Sequence, residues 1–305
     1  MAILVTGGAG FIGSNFLHFL SKRTQEEIIC IDKMTYASDF GYIHDLNVKL
    51  YICDINRCEY VFNNHNIKTV FNFAAETHVD NSIENGSKFI ETNIKGTVNL
   101  LNLSLKYEIE KFIHVSTDEV YGSIEDGKFT ENSNYNPRNP YSASKSASDH
   151  FVRAYHNTYG LPTIITNCSN NYGPHQHYEK FIPTIIINLL FNKKIPVYGN
   201  GQQVRDWLYV KDHCSALYMI YEKGKIGEKY NIGGECEIKN IDLVKKIISM
   251  MGKDENMIEY VKDRLGHDRR YSTDISKIKL DVGWSPSFDI DKGLEKTIQW
   301  YIKNS

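Results

Sequence analysis

The chain has 305 residues, of which 41% are hydrophobic and 24% charged, and its formal net charge is −2. That is enough chain for one large domain or two modest ones, and so balanced a charge gives no reason to expect nucleic acid or an anionic membrane as partner. No apolar run approaches the length of a membrane span, and Met1 leads straight into a strand pattern rather than a secretory leader, so a cytoplasmic protein is expected. The cysteines show no Cys-x-x-Cys pair and read as reduced and packed. His175-Gln176-His177 is the nearest approach to a metal motif. Its Gly-Pro loop carries no accompanying cysteine or acid pattern, so no metal is expected.

Ala2 to Thr6 reads as a buried strand, followed by Gly7-Gly8-Ala9-Gly10-Phe11-Ile12-Gly13 and a helix pattern with Phe16, Leu17 and Leu20 on one face. This context turns a glycine match into a phosphate-binding hypothesis. Gly7 permits the tight turn, Gly10 lets backbone approach a pyrophosphate, and Gly13 lets helix pack close to strand. A second strand, Glu27 to Ile31, ends at Asp32, where an acid bonds the adenosine ribose hydroxyls and repels a 2′-phosphate, favouring NAD over NADP. Val48 to Ile55 reads as the third strand, with Asp54 placed to meet adenine, and Thr69 to Ala75 as the fourth. The small Ala74-Ala75 pair lets backbone run close to a cofactor. From Ser87 to Leu105, the stripe Ile90, Ile94, Val98, Leu101 and Leu105 predicts one long helix. Thr92 and Asn93 within it are weak helix formers that point to inward polar contacts.

A fifth strand, Lys111 to Val115, runs into Ser116-Thr117-Asp118-Glu119-Val120-Tyr121-Gly122. Two acids and a hydroxyl therefore sit at the mouth of a sheet. Tyr141 and Lys145 are four apart in a segment that reads as helical from Ser142 onward, so they share a face. A nearby cation lowers a phenol's pKa and suits Tyr141 to take a proton from an alcohol. Taken alone, Tyr-x-x-x-Lys is more often plain helix surface. Pro162 to Asn167 is a sixth strand, leading to amides at Asn170 and Asn171. From Lys180 onward short strands and helices alternate irregularly. The alternation predicts an α/β fold, a Rossmann-type doubly wound parallel sheet with a smaller mixed α/β C-terminal lobe. Residues 1–175 form the expected NAD-binding domain and 176–305 a substrate-binding lobe, with the chain crossing between them. Lys180, Arg205 and Arg264 are most simply solvated or structural, although Arg205 and Arg264 sit where a planar fork reaches a diphosphate.

The glycine motif, Thr-Asp-Glu before Val-Tyr-Gly, Tyr-x-x-x-Lys, Asn-Cys-Ser-Asn-Asn-Tyr-Gly-Pro, Arg-Asp-Trp-Leu-Tyr-Val and Gly-His-Asp-Arg-Arg-Tyr occur in order across nearly the whole chain. The sequence strongly resembles the dTDP-glucose 4,6-dehydratases, which are extended short-chain dehydrogenase/reductases. The glycine motif and Tyr-x-x-x-Lys belong to the whole superfamily. Thr-Asp-Glu discriminates, because the related sugar epimerases lack the acid pair.

The resemblance implies that Tyr141 takes the proton of the sugar 4-hydroxyl while carbon 4 gives a hydride to NAD, which is bound tightly and recycled. Lys145 holds the nicotinamide ribose, and Thr117 bonds the 4-oxygen. Glu119 removes the proton on carbon 5, and Asp118 protonates the departing 6-hydroxyl. Further implied cofactor contacts are Phe11, Ile12, Asp32, Lys33, Met34, Thr35, Asp54, Ile55, Phe73, Ala74, Ala75, Glu76, Thr77, Thr92 and Asn171. The nucleotide-diphospho-glucose substrate is expected to meet Thr77, Asn170, Lys180, Phe181, Pro196, Val197, Tyr198, Arg205, Asn240, Asp263, Arg264 and His267. By the same resemblance the protein is a homodimer built on helices 87–105 and 142–159. Leu265 stands where the family usually has Pro, Asn200 where it has Asp, and residues 175–178 depart from the common pattern. These departures leave UDP-glucose as an alternative substrate, with 4-epimerisation as an alternative reaction.

Overall fold

A computed structural model describes residues 1–263 and 268–304. The first six strands are Ala2–Thr6 (β1), Glu27–Asp32 (β2), Lys49–Ile52 (β3), Ile67–Asn72 (β4), Lys111–Thr117 (β5) and Thr163–Cys168 (β6). The second half adds Asn170–Tyr172 (β7), Ile195–Tyr198 (β8), Val204–Tyr209 (β9), Lys229–Ile232 (β10), Glu237–Lys239 (β11) and Ile258–Val261 (β12). Seven of these form one parallel sheet in the order β10-β6-β5-β4-β1-β2-β3. Its β3-β2-β1-β4-β5-β6 part is the doubly wound dinucleotide-binding order, whose strand direction places ligands at the carboxyl ends.

Alternation along β1 explains the layers. Ile3 and Val5 pack on one side with Phe16, Leu17 and Leu20 of helix Phe11–Leu20. Ala2 and Leu4 pack on the other side with Leu100, Leu101 and Val152. Both faces of the sheet are thus covered, as a parallel sheet requires. A third core, with Ile185, Ile186, Val197, Leu243, Val244 and Leu294, lies in the second half beneath the small sheets β11-β9-β7 and β12-β8.

Two elements differ from their sequence reading. Tyr230 to Ile232, read as part of the irregular second half, lies in β10 beside β6 in the main sheet. The residues between 87 and 106 are not one continuous α-helix. Ser87–Phe89 is α-helical, Ile90–Gly96 is a π-helix, and Thr97–Lys106 is α-helical again. The wide turn carries Thr92 and Asn93 inward. Asn93 Oδ1 accepts from the Glu76 N–H at 2.8 Å, and Nδ2 donates to the Glu76 carbonyl at 3.0 Å and to Ser144 Oγ at 2.8 Å. These bonds lock the helix to the strand end after β4. Such π segments recur at functional sites.

Candidate active site

Two connected clefts open along the carboxyl ends of the main sheet. The first is lined by Gly7, Gly10, Phe11, Ile12 and Gly13 from the β1 turn, and by Asp32, Lys33, Thr35 and Ile55. Phe73, Ala74, Ala75, Glu76, Thr77 and Thr92 form its floor and far wall. Thr117, Asp118, Glu119, Tyr141, Lys145, Asn170 and Asn171 close one end. The second cleft is lined by Phe181, Pro196, Val197, Tyr198, Arg205 and Asn240. Thr77, Glu119, Asn170, Asn171 and Lys180 line both clefts, so one acid faces both.

The glycines shape the first cleft. Gly7 has φ +68°, and a Cβ there would lie 2.8 Å from the Ala74 nitrogen. At Gly13 a Cβ would come within 2.2 Å of the Gly7 carbonyl. A Cβ on Gly10 meets nothing closer than 3.4 Å, so that position faces open space. Asp32 Oδ2 accepts from the Ala9 N–H at 3.0 Å, and Oδ1 accepts from the Met34 N–H and Ser38 Oγ, each at 2.9 Å. A carboxylate has about four acceptor sites, so Asp32 fixes two loops and still offers an acceptor to the cleft. Lys33 Nζ bridges Thr92 Oγ1 at 3.0 Å and Glu76 Oε1 at 3.1 Å. Asn170 Oδ1 and Gln176 Oε1 line the cleft as buried polar atoms with no protein partner. A glycine turn at a helix N-terminus, an acid after β2 and unsatisfied polar atoms fit a dinucleotide.

At the other end the sequence places each group for a local reason. Thr117 ends β5, its Oγ1 accepting from the Glu119 N–H at 3.3 Å and donating to Asp118 Oδ1 at 3.4 Å. That cap turns Asp118 and Glu119 into the cleft on a short 3₁₀ turn. Asn139 caps helix Pro140–Tyr159 with Pro140 at its first position, so the helix begins just before Tyr141 and not at Ser142. Lys145 is buried, and its Nζ donates to the Val115 carbonyl at 2.8 Å.

The electrostatics separate the two acids. Burial, and then the neighbouring Glu119 carboxylate, push the Asp118 carboxyl well above the usual range. Burial also raises Glu119, but Arg205 and then Lys180 pull it back. Asp118 is therefore held more strongly towards the protonated form than Glu119, a difference that lets adjacent carboxyls divide into one acid and one base. Tyr141 differs from its sequence reading. Burial, followed by Glu119 and Cys168, holds its phenol well above its ordinary value, while the Thr117 hydroxyl favours the phenolate. Desolvation of the phenol, and not the expected help from Lys145, dominates its ionisation.

This acid pair beside Tyr141 and Lys145 has close counterparts. The chain is 46% identical to the dTDP-glucose 4,6-dehydratase of Haemophilus influenzae, covering 100% of this chain and 99% of that protein. It belongs to the dTDP-glucose 4,6-dehydratase family. The family model described as GDP-mannose 4,6 dehydratase matches residues 4–297. The dTDP-glucose 4,6-dehydratase of Streptomyces venezuelae, solved with NAD bound, superposes with a TM-score of 0.97 at 42% identity, covering 100% of this chain and 98% of that one. A UDP-glucose 4-epimerase of Thermotoga maritima shares the fold at a TM-score of 0.95 but only 29% identity, with 100% and 99% of the two chains covered.

Some residues expected in the clefts from family resemblance are placed elsewhere. Asp54 Oδ1 is taken by its own turn, accepting from the Asn56 N–H at 2.8 Å and from Asn56 Nδ2 at 2.9 Å. Met34 packs against the apolar core below the first cleft. Asn171, by contrast, lines both clefts as expected, its side chain donating to the Ser169 carbonyl at 2.9 Å and bonding His213 Nδ1 at 2.9 Å. Asp263 Oδ2 accepts from Gln203 Nε2 at 3.3 Å beside the second cleft. Arg264 and His267 lie outside the described residues. Conversely, Gln176, Glu179, Asp268 and Tyr271 line the clefts although sequence reasoning gave them no role. Asp268 and Tyr271 fall inside the quoted Gly-His-Asp-Arg-Arg-Tyr motif and Glu179 precedes Lys180, so the signal was adjacent in each case.

Proposed function

We propose that the protein converts dTDP-glucose to dTDP-4-keto-6-deoxyglucose, a hydro-lyase reaction with recycled NAD. The observation that carries this reading is the pair of buried Asp118 and half-buried Glu119 at the end of β5, lining one cleft with Tyr141 and Lys145. When bound, NAD accepts a hydride from carbon 4 and returns it to carbon 6. Tyr141 takes the proton of the 4-hydroxyl, and Thr117 bonds the same oxygen. The 4-keto group acidifies the carbon 5 proton, which Glu119 removes. Asp118, kept neutral by burial, gives its proton to the 6-hydroxyl, which leaves as water. Glu119 then returns a proton to carbon 5. Lys145, which lines the first cleft, would hold the nicotinamide ribose.

In this reading residues 1–175 bind the dinucleotide and 176–305 the nucleotide sugar, with β10 returning to the first unit. Arg205 and Lys180 meet the diphosphate, and Pro196, Val197, Tyr198 and Asn240 meet the base. The half-exposed Ile83, Ile90, Phe151 and Tyr159 on helices 79–106 and 140–159 support a homodimer through those helices. Among the described residues no helix is long and apolar enough to cross a membrane.

The test is to incubate the purified protein with dTDP-glucose and, separately, UDP-glucose, and to weigh the products. Loss of one water from dTDP-glucose without added reductant is expected. Water loss from UDP-glucose alone would move the nucleotide assignment. Conversion to a galactose epimer of unchanged mass would sink the dehydratase reading.

A further inference from the structure

One helical turn beyond Lys145, on the same face, lies a carboxylate that the reaction does not use. Asp149 is 2% exposed, and every element around it contributes a contact. Its Oδ2 accepts from Tyr135 Oη at 2.8 Å and from Asn167 Nδ2 of β6 at 3.1 Å. Its Oδ1 lies 3.4 Å from His114 Nε2 of β5.

The state of His114 follows from its neighbours. Thr6 Oγ1 accepts from the Ala74 N–H at 3.3 Å and so donates to Asn72 Oδ1 at 2.7 Å. That fixes the Asn72 amide, whose Nδ2 donates to His114 Nδ1 at 3.2 Å. The imidazole proton is therefore on Nε2, which faces both Asp149 Oδ1 and Ser148 Oγ, the latter at 3.1 Å. Burial, and then the Lys145 charge, keep His114 neutral. It orients the carboxylate without neutralising it. Lys229 of β10 stands beyond Tyr135, 3.5 Å from its oxygen and over the Tyr121 and Tyr135 rings.

We propose that Asp149 is a positioning residue for the oxidation step: it is the fixed buried counter-charge that holds Lys145 as an ammonium beneath Tyr141. Asp149 and Lys145 are both buried one turn apart on the same helix, and a buried charge left without an opposite charge nearby is costly. Burial lowers Lys145, and Asp149 is the first group opposing it. Burial raises Asp149, and Lys145 is the first group opposing that. Cys168 and the neutral His114 are the other titratable groups that interact with Lys145, and burial keeps the Cys168 thiol protonated, pushed up to about 12. This assignment rests on Tyr141 being the base of the proposed reaction.

The experiment compares Asp149→Asn with wild type, which must itself release water from dTDP-glucose; a wild type that does not do so overturns the dehydratase reading, not this one. The amide keeps acceptors for Tyr135 and Asn167 but lacks the charge. A fall in kcat of about tenfold or more at pH 7 is expected, with KM little changed, because a single-unit change in an ionisation is already tenfold. The deficit should shrink as pH is lowered, where Lys145 keeps its proton even without the counter-charge. A deficit of one constant factor at every pH, or none, overturns the proposal. Melting of Asp149→Asn, Lys145→Met and the double variant gives a readout independent of activity. The double variant should melt above Asp149→Asn, because the orphaned ammonium has gone. Additive losses, including a double variant as unfolded as the single one, overturn it as well.

Discussion

Lys145 Nζ donates to the Val115 carbonyl at 2.8 Å, tying the helix that begins beside Tyr141 to the strand that ends in Asp118 and Glu119. The base and the acid pair are thereby held on two elements joined at the bottom of the cleft. Rigid placement of this kind is what lets neighbouring groups act in sequence on one sugar ring.

Tyr141→Phe removes the base while leaving Lys145 and the glycine turn in place. Water release from dTDP-glucose should fall by about 10²–10⁴, the usual contribution of a positioned proton acceptor. Binding of NAD, followed by fluorescence quenching, should stay within a few-fold of wild type.

Glu119→Gln separates oxidation from elimination. The 4-hydroxyl still loses its proton to Tyr141, so mixing with dTDP-glucose should raise the absorbance of reduced nicotinamide. No water should be lost, and the carbon 5 hydrogen should not exchange with solvent. Dehydrated product at the wild-type rate would remove Glu119 from the role assigned to it.

Much of this arrangement was legible before any coordinates. The buried strands, the glycine turn and Asp32 carry strong local patterns, because a parallel strand buried on both faces reads as a continuous apolar run. What stayed hidden depends on contacts distant in sequence. Nothing local tells that Ile90–Gly96 opens into a π-helix, which coincides with the long-range Asn93 bonds to Glu76 and Ser144. Tyr230 sits after an irregular stretch, and only pairing with β6 makes it part of the main sheet. Asp54 looked free at the end of a strand but serves its own turn, since an acid followed by Asn competes for local backbone N–H groups.

Arg205 is held as a fork. Its Nη1 donates to the Val204 carbonyl at 2.8 Å, its Nη2 to the Asp268 carbonyl at 2.9 Å, and its guanidinium lies 4.4 Å from the centre of the Tyr271 ring. Lys keeps the charge that restrains Glu119 but not the planar fork or its stacking. Arg205→Lys should therefore raise KM for dTDP-glucose about tenfold, or ~1.4 kcal/mol, with a smaller change in kcat. Steady-state kinetics with varied sugar nucleotide decide between the two effects.

Gly10 separates folding from cofactor binding. A Cβ there meets only the Gly7 carbonyl, at 3.4 Å, whereas at Gly13 it would come within 2.2 Å of the same oxygen. Gly10→Ala should melt like wild type but bind NAD at least tenfold more weakly, because the added methyl enters the space left for the pyrophosphate. Gly13→Ala should lose stability with or without cofactor. Equal loss of stability in both variants would mean that Gly10 serves the turn alone.

The Asp118 carboxyl is held well above its ordinary 3.8 by burial and by Glu119, so it binds its proton more tightly in the folded chain than in the unfolded one. Stability contributed by such a group is greatest in acid and falls as pH rises from the unfolded value through the folded one. Asn at this position carries no ionisable proton and escapes that loss. Asp118→Asn should therefore melt higher than wild type at pH 8, by about 2 °C or more, equivalent to ~1 kcal/mol or more in a chain of this size. The gain should shrink as pH is lowered towards 4, while water release is lost at every pH. A variant that melts lower than wild type at pH 8 would show that the carboxyl stabilises the fold, and would remove the ground for a protonated Asp118 as the acid that expels the 6-hydroxyl.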